Sequence, residues 1–123
     1  MGFLDRYAAQ ILGLVRIVSG LAFLEHGTSK LLNFPPGHTV ELMSRSGAAG
    51  VIELVGGTLI ILGLYSRTAA FIASGEMAFA YFLAHNPRSF FPTQNGGDAA
   101  ILFCFIFLYL AAAGPGAFAM NKK

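Results

Sequence analysis

Cysteine occurs once in this chain, at Cys104, which excludes an intramolecular disulfide, a C-x-x-C redox pair and an all-cysteine metal cluster. Charge is scarce too. Asp, Glu, Lys and Arg make up 11% of the residues, against the roughly 25% usual in soluble domains. Eight basic and six acidic side chains leave a net charge of +2, too small and too scattered for a nucleic-acid surface. Histidine is limited to His26, His38 and His85, without the His-x-x-x-His spacing of a helical metal site, and no Gly-rich phosphate loop follows a strand pattern. No metal site is expected. The start lacks the Lys/Arg-rich opening and small-residue cleavage site of a secretory signal, so the first apolar segment is expected to be retained. Repeats and low-complexity stretches are also lacking, and 123 residues suit one domain.

Hydrophobic residues fill that space, at 55% of the chain, and they gather in four stretches. The predicted spans are about 7–32, 47–65, 68–84 and 96–113, close to the length of roughly 20 residues that a bilayer-crossing helix requires. The fold class that follows is all-α, an integral membrane four-helix bundle of antiparallel up-down topology, with 1–123 a single transmembrane domain. Asn33-Phe34-Pro35-Pro36-Gly37 stops the first helix. A short amphipathic piece at the membrane interface is expected over 38–46. Gly50, Gly56, Gly57 and Gly63 suit close packing of the second helix, and Ser66-Arg67 leaves a tight hairpin between the second and third. The loop over 85–97 holds Phe90-Phe91, suited to headgroup depth, and Cys104 is expected to fill space in the fourth helix. Arg6, Arg67, Lys122 and Lys123 lie on the side of the termini, against Lys30, Arg45 and Arg88 opposite. That balance predicts cytoplasmic termini, with the loops 34–46 and 86–95 outside.

Against this apolar background the ionisable residues stand out. The first helix carries Arg16, Glu25, His26 and Lys30; Glu53, Glu76 and Asp98 come from the other three. A charge at the centre of a spanning helix costs roughly 2.5–3.5 kcal/mol on insertion scales, so such residues need partners or water. At 100° per residue Arg16, Gly20, Phe23, Gly27 and Lys30 share one face within about 40°, with His26 about 80° away and Glu25 about 180° from Arg16. Two readings stay open. In one, the charges are internal ion pairs, Arg16 and Lys30 each neutralised by a glutamate and Asp98 capping the fourth helix. In the other, Arg16, His26, Lys30, Glu53, Glu76 and Asp98 bind a ligand, with Glu76 flooring a cavity open toward the outer loops.

The ordered set Arg16-x-x-x-Gly20, His26-Gly27-x-x-Lys30, Glu53-x-x-Gly56-Gly57 with Gly63, Arg67, Asn95-Gly96-Gly97 and Gly114-Pro115-Gly116 resembles the DoxX family of small bacterial inner-membrane proteins. That family is related to the DoxD subunits of thiosulfate:quinone oxidoreductase. The chain departs at Asp98, where family members usually carry Glu, and over 117–121, where a Ser and an Asp commonly follow Gly-Pro-Gly. The resemblance implies a four-helix bundle in the bacterial inner (plasma) membrane, associated with redox or sulfur-oxidation complexes. It implies a pocket for quinone or a small sulfur species, in which His26, Lys30 and a carboxylate bond the carbonyl oxygens and deliver protons. With no cofactor motif in the chain, electrons would come from a redox partner protein. The competing class is a structural or transport-like bundle with stabilising charges, oligomeric through its Gly-rich helix. Whether the chain is an enzyme stays open between these readings.

Overall fold

The computed structural model describes residues 2–36, 40–85 and 90–123, with 84, 85 and 95 described by their backbone alone. His38, Arg88 and the imidazole of His85 lie outside the described residues. Among the described residues the regular structure is all helix: α1 (Gly2–Asp5), α2 (Ala8–Leu32), α3 (Arg45–Leu62), α4 (Ser66–Ala80), α5 (Pro92–Asn95) and α6 (Asp98–Ala113), with a π-helical turn over Tyr81–His85 extending α4. By length and composition α2 and α3 are apolar enough to cross a membrane, and α6 is a shorter apolar helix.

Ser44 decides where α3 begins. Its hydroxyl accepts the Gly47 amide at 3.0 Å, occupying one of the orphan donors of the first turn, and α3 therefore starts at Arg45 rather than 47. Arg45 and Ser46, expected in an interfacial piece, belong instead to that first turn. At the other end Gly63 adopts the left-handed conformation at φ 68° and closes the helix through Ile60 and Leu59 carbonyls.

Glycines set the spacing of α2 and α3. A methyl group on Gly20 would meet Ile60 and Ile61, one on Gly57 would meet Leu24, and one on Gly27 would lie 2.7 Å from the Leu54 nitrogen and 2.9 Å from Glu53 Cβ. Partner numbers fall on α3 as they rise on α2, so the two helices run antiparallel with their backbones close. The Gly-rich surface of α3 is thus used largely inside the chain. Gly27→Ala is expected to wedge the pair apart and cost about 1–3 kcal/mol. Thermal unfolding in detergent checks this, and an unchanged midpoint would contradict the close approach.

A second antiparallel pair is made by α4 and α6. Arg67 at the start of α4 donates to the carbonyls of Ala111 (3.0 Å) and Ala112 (2.9 Å) at the end of α6, and Ser74 Oγ donates to the Cys104 carbonyl at 2.7 Å midway. The two pairs meet where α3 packs on α4 and α2 touches α6. Phe23, Ile60, Met77, Phe107 and Leu110 fill the centre beside the small residues Ala69, Ala70, Ala73 and Ala100. Phe23 and Phe107 meet edge to face at 4.9 Å, and Phe103 stacks on Phe107. Many large apolar side chains nevertheless point outward, among them Val18, Phe71, Phe79, Leu102 and Phe105. That surface exceeds what scattered exposure in water-soluble monomers explains.

Candidate functional site

The charged site is built at the end of the α2–α3 pair. Gly27 and Gly50 bring the two backbones together there. In the last turn of α2, Lys30 reaches across to Glu53 on α3, and Nζ donates to Oε2 at 3.0 Å. Glu53 is 1% exposed, whereas Lys30 keeps 24% of its side chain open. Glu76, projecting from α4, faces Glu53 and lies within electrostatic reach of Lys30. Glu53 Oε1 and both Glu76 carboxyl oxygens are buried with no donor among the described residues. One ammonium is thus set against two carboxyls, and the second carboxyl has no cation of its own among the described residues.

Beside this trio a cleft of about 700 Å³ opens between α3 and α4. Lys30, Arg45, Ser46 and Glu76 supply its polar side; Ile52, Ile72, Phe79 and Leu83 supply apolar walls. Ile72, Phe79 and Leu83 are each more than half exposed, so the cleft opens sideways onto the outer surface. The Arg45 guanidinium and Ser46 hydroxyl make no bond among the described residues and are available as donors. Sequence reasoning missed both because it assigned them to a loop. The signal that would have placed them is Ser44, a strong helix-capping residue just before Arg45.

Arg16 lies elsewhere. It is fully buried, and the expected partner acid is replaced by main-chain oxygens. Nε donates to Ile60 (2.9 Å); Nη1 donates to Pro115 (2.6 Å) and Ala117 (2.9 Å); Nη2 donates to Phe118 (2.8 Å) and Ile61 (3.5 Å). Two of these carbonyls end α3, where the helix dipole is negative, and the other three belong to the segment after α6. The guanidinium has five N–H donors, and all are used. Arg16 therefore holds the C-terminal segment and does not line the α3–α4 cleft.

His26 and Asp98 also fall outside the cleft lining. His26 is exposed and meets the edge of Phe103 on α6 at 5.8 Å, one turn before Lys30, whose ammonium turns instead to Glu53 on α3. Asp98 is exposed in the first turn of α6, where a negative charge suits the helix dipole, while the capping position is Gly97. Of the six candidates, Lys30, Glu53 and Glu76 come together; Arg16, His26 and Asp98 each stand apart from them.

Together, the fold and the site define an all-helical protein that turns apolar side chains outward and gathers charges between its helices. The family model for DoxX matches residues 11–86, a stretch that holds all but the first three residues of α2, the whole of α3 and α4 and every member of the trio, and the chain belongs to this membrane-associated family. It is also similar to an uncharacterized protein of Haemophilus influenzae, 43% identical over 134 residues that take in 100% of this chain and 97% of the relative. No solved structure matches the chain.

Proposed function

We propose that the chain is a single transmembrane domain of the bacterial inner membrane, an antiparallel four-helix bundle of α2, α3, α4 and α6 with cytoplasmic termini. In this reading the α3–α4 cleft receives an amphipathic ligand of the quinone type, and the protein serves as a redox-associated membrane subunit. The observation that carries it is the cleft itself: about 700 Å³, apolar where it opens outward and polar where it meets Lys30. Drug-sized ligands occupy sites of this size and character, with a few polar groups fixing orientation. An apolar tail would lie along Ile72, Phe79 and Leu83, in reach of acyl chains. Lys30, Arg45 and Ser46 would hold the carbonyl oxygens of the head. A quinone supplies two-electron, two-proton chemistry when bound, with electrons from a partner protein. The chain's own part is to bind and orient the head, with Glu53 and Glu76 set behind Lys30.

A second reading is favoured by the Lys30–Glu53 pair at 3.0 Å, which satisfies both charges without any ligand. There the bundle is structural or transport-like and the trio serves as a clamp. Gly75 separates the two readings. It lines the cleft, and a Cβ built there meets no atom within 4 Å, so the side chain of Gly75→Leu starts in open space and narrows the cleft. The substitution should leave the unfolding midpoint equal or higher, since replacing a helical glycine gains up to about 1 kcal/mol. Binding of a short-chain quinone to the nanodisc-embedded protein should fall roughly tenfold or more. Absence of quinone binding in the parent, or equal binding in parent and variant, would leave the clamp reading in its place.

A further inference from the structure

Away from its contacts with α3, helix α2 carries an acid that the bundle leaves unused. Glu25 is exposed, and its carboxylate has no hydrogen-bond or ion-pair partner among the described residues. Its surroundings are Val18 (62% exposed), Leu21 (53%) and Ala22, a surface that faces acyl chains in the membrane placement proposed above. A carboxylate held there requires a partner that brings a donor of its own. His26 supplies such a donor on the next residue, exposed like Glu25, with its ring steadied against Phe103.

The direction midway between Glu25 and His26 on the helical wheel also passes close to Ile11, Val15, Val18 and Ala22, whose spacing of four, three and four residues is that of a helix–helix seam. All four are exposed. If two such helices stand parallel about a two-fold axis that runs alongside them on that side, a residue about 50° to one side of the seam faces a residue about 50° to the other side at nearly the same height. Glu25 and His26 occupy those two positions. The face is therefore self-complementary, with acid against imidazole twice, and Ala22 beside them lets the backbones approach.

We propose that α2 pairs with α2 of a second copy of this chain, parallel in the membrane, with each Glu25 accepting a hydrogen bond from the partner subunit's His26. The pairing rests on the membrane placement of α2 and does not depend on what the α3–α4 cleft holds.

The test uses the full chain in lipid nanodiscs and in native membranes. In a Cys104→Ser background, Val18→Cys should form a disulfide-linked dimer under mild oxidation, while Phe71→Cys, on the outer face of α4, should not. Glu25→His and His26→Glu each place like residues opposite one another and should weaken dimerisation roughly tenfold, the consequence of losing two interhelical hydrogen bonds. The double substitution Glu25→His with His26→Glu recreates both pairs with the roles exchanged and should restore the parent dimer. A dimer that survives both single changes, a double variant as weak as the singles, or crosslinking at Phe71→Cys equal to that at Val18→Cys would overturn the pairing. A parent that resists carbonate extraction yet is monomeric would also overturn it while leaving the membrane placement intact. Release of the parent by carbonate would remove the membrane placement itself, and the pairing with it.

Discussion

Arg16→Leu is expected to destabilise the protein by about 4 kcal/mol, at the severe end of single substitutions. The substitution removes five donors from five carbonyls, three of which belong to the segment after α6. Each buried carbonyl left without a donor costs roughly 1–3 kcal/mol, and hydration of a released segment limits the total. That segment is also tied by Ala117 to the Ala9 carbonyl, by Met120 to Leu62 and by Asn121 to Gly63. Gly63 belongs to the same arrangement, since a Cβ there would lie 2.5 Å from Ala119 and 3.2 Å from the Arg16 guanidinium carbon. Loss of Arg16 should therefore expose residues 115–121 to amide exchange and proteolysis before the helices unfold. Arg16→Lys should fall between parent and Leu, because an ammonium keeps the charge but lacks the planar fork that spans two chain segments. Thermal unfolding with hydrogen exchange on the C-terminal peptide measures both effects. An Arg16→Leu protein within about 1 kcal/mol of the parent, its tail still protected, would contradict the clamp.

Lys30→Met is the second substitution with a large expected effect. It leaves Glu53, 1% exposed, facing Glu76 with no cation beside it. Removing one partner of a buried pair costs roughly 3–5 kcal/mol, and the lower end applies because Lys30 is 24% exposed. The companion change Glu53→Gln should cost less, since Lys30 can then turn to the cleft and its water. Replacing both, as Lys30→Met with Glu53→Leu, should recover most of the loss, because an apolar pair of similar volume needs no desolvation. A double-mutant cycle on unfolding free energies reads this as strong non-additivity. Additive losses would mean that the two side chains do not depend on each other.

The helical stretches are legible in the sequence because their charges are few and the ends at Asn33 and Gly114 are marked, whereas Gly63, expected as a packing residue inside a span reaching 65, instead closes α3 by its left-handed conformation. Periodicity alone also separates Glu25 from Arg16, and the structure finds Glu25 exposed and Arg16 buried. The partner of Arg16 is illegible for a physical reason. Carbonyl oxygens carry no residue identity, so a charge neutralised by main chain looks in the sequence like a charge awaiting an acid. Asp98 and His26 mislead in another way: counting residues along helices predicts depth, but not which neighbour each helix faces. Arg45 was hidden by a boundary error of two residues, and that error moves a cation from a loop into the cleft wall.

Photoaffinity labelling with a diazirine-bearing quinone analogue in nanodiscs, followed by peptide mapping, tests the central claim most directly. Label confined to 45–52 and 72–83, and lost in Gly75→Leu, is the result expected of a ligand seated between α3 and α4. Label at Leu12, Val15 and Tyr109 in the groove between α2 and α6, or label insensitive to Gly75→Leu, would contradict it.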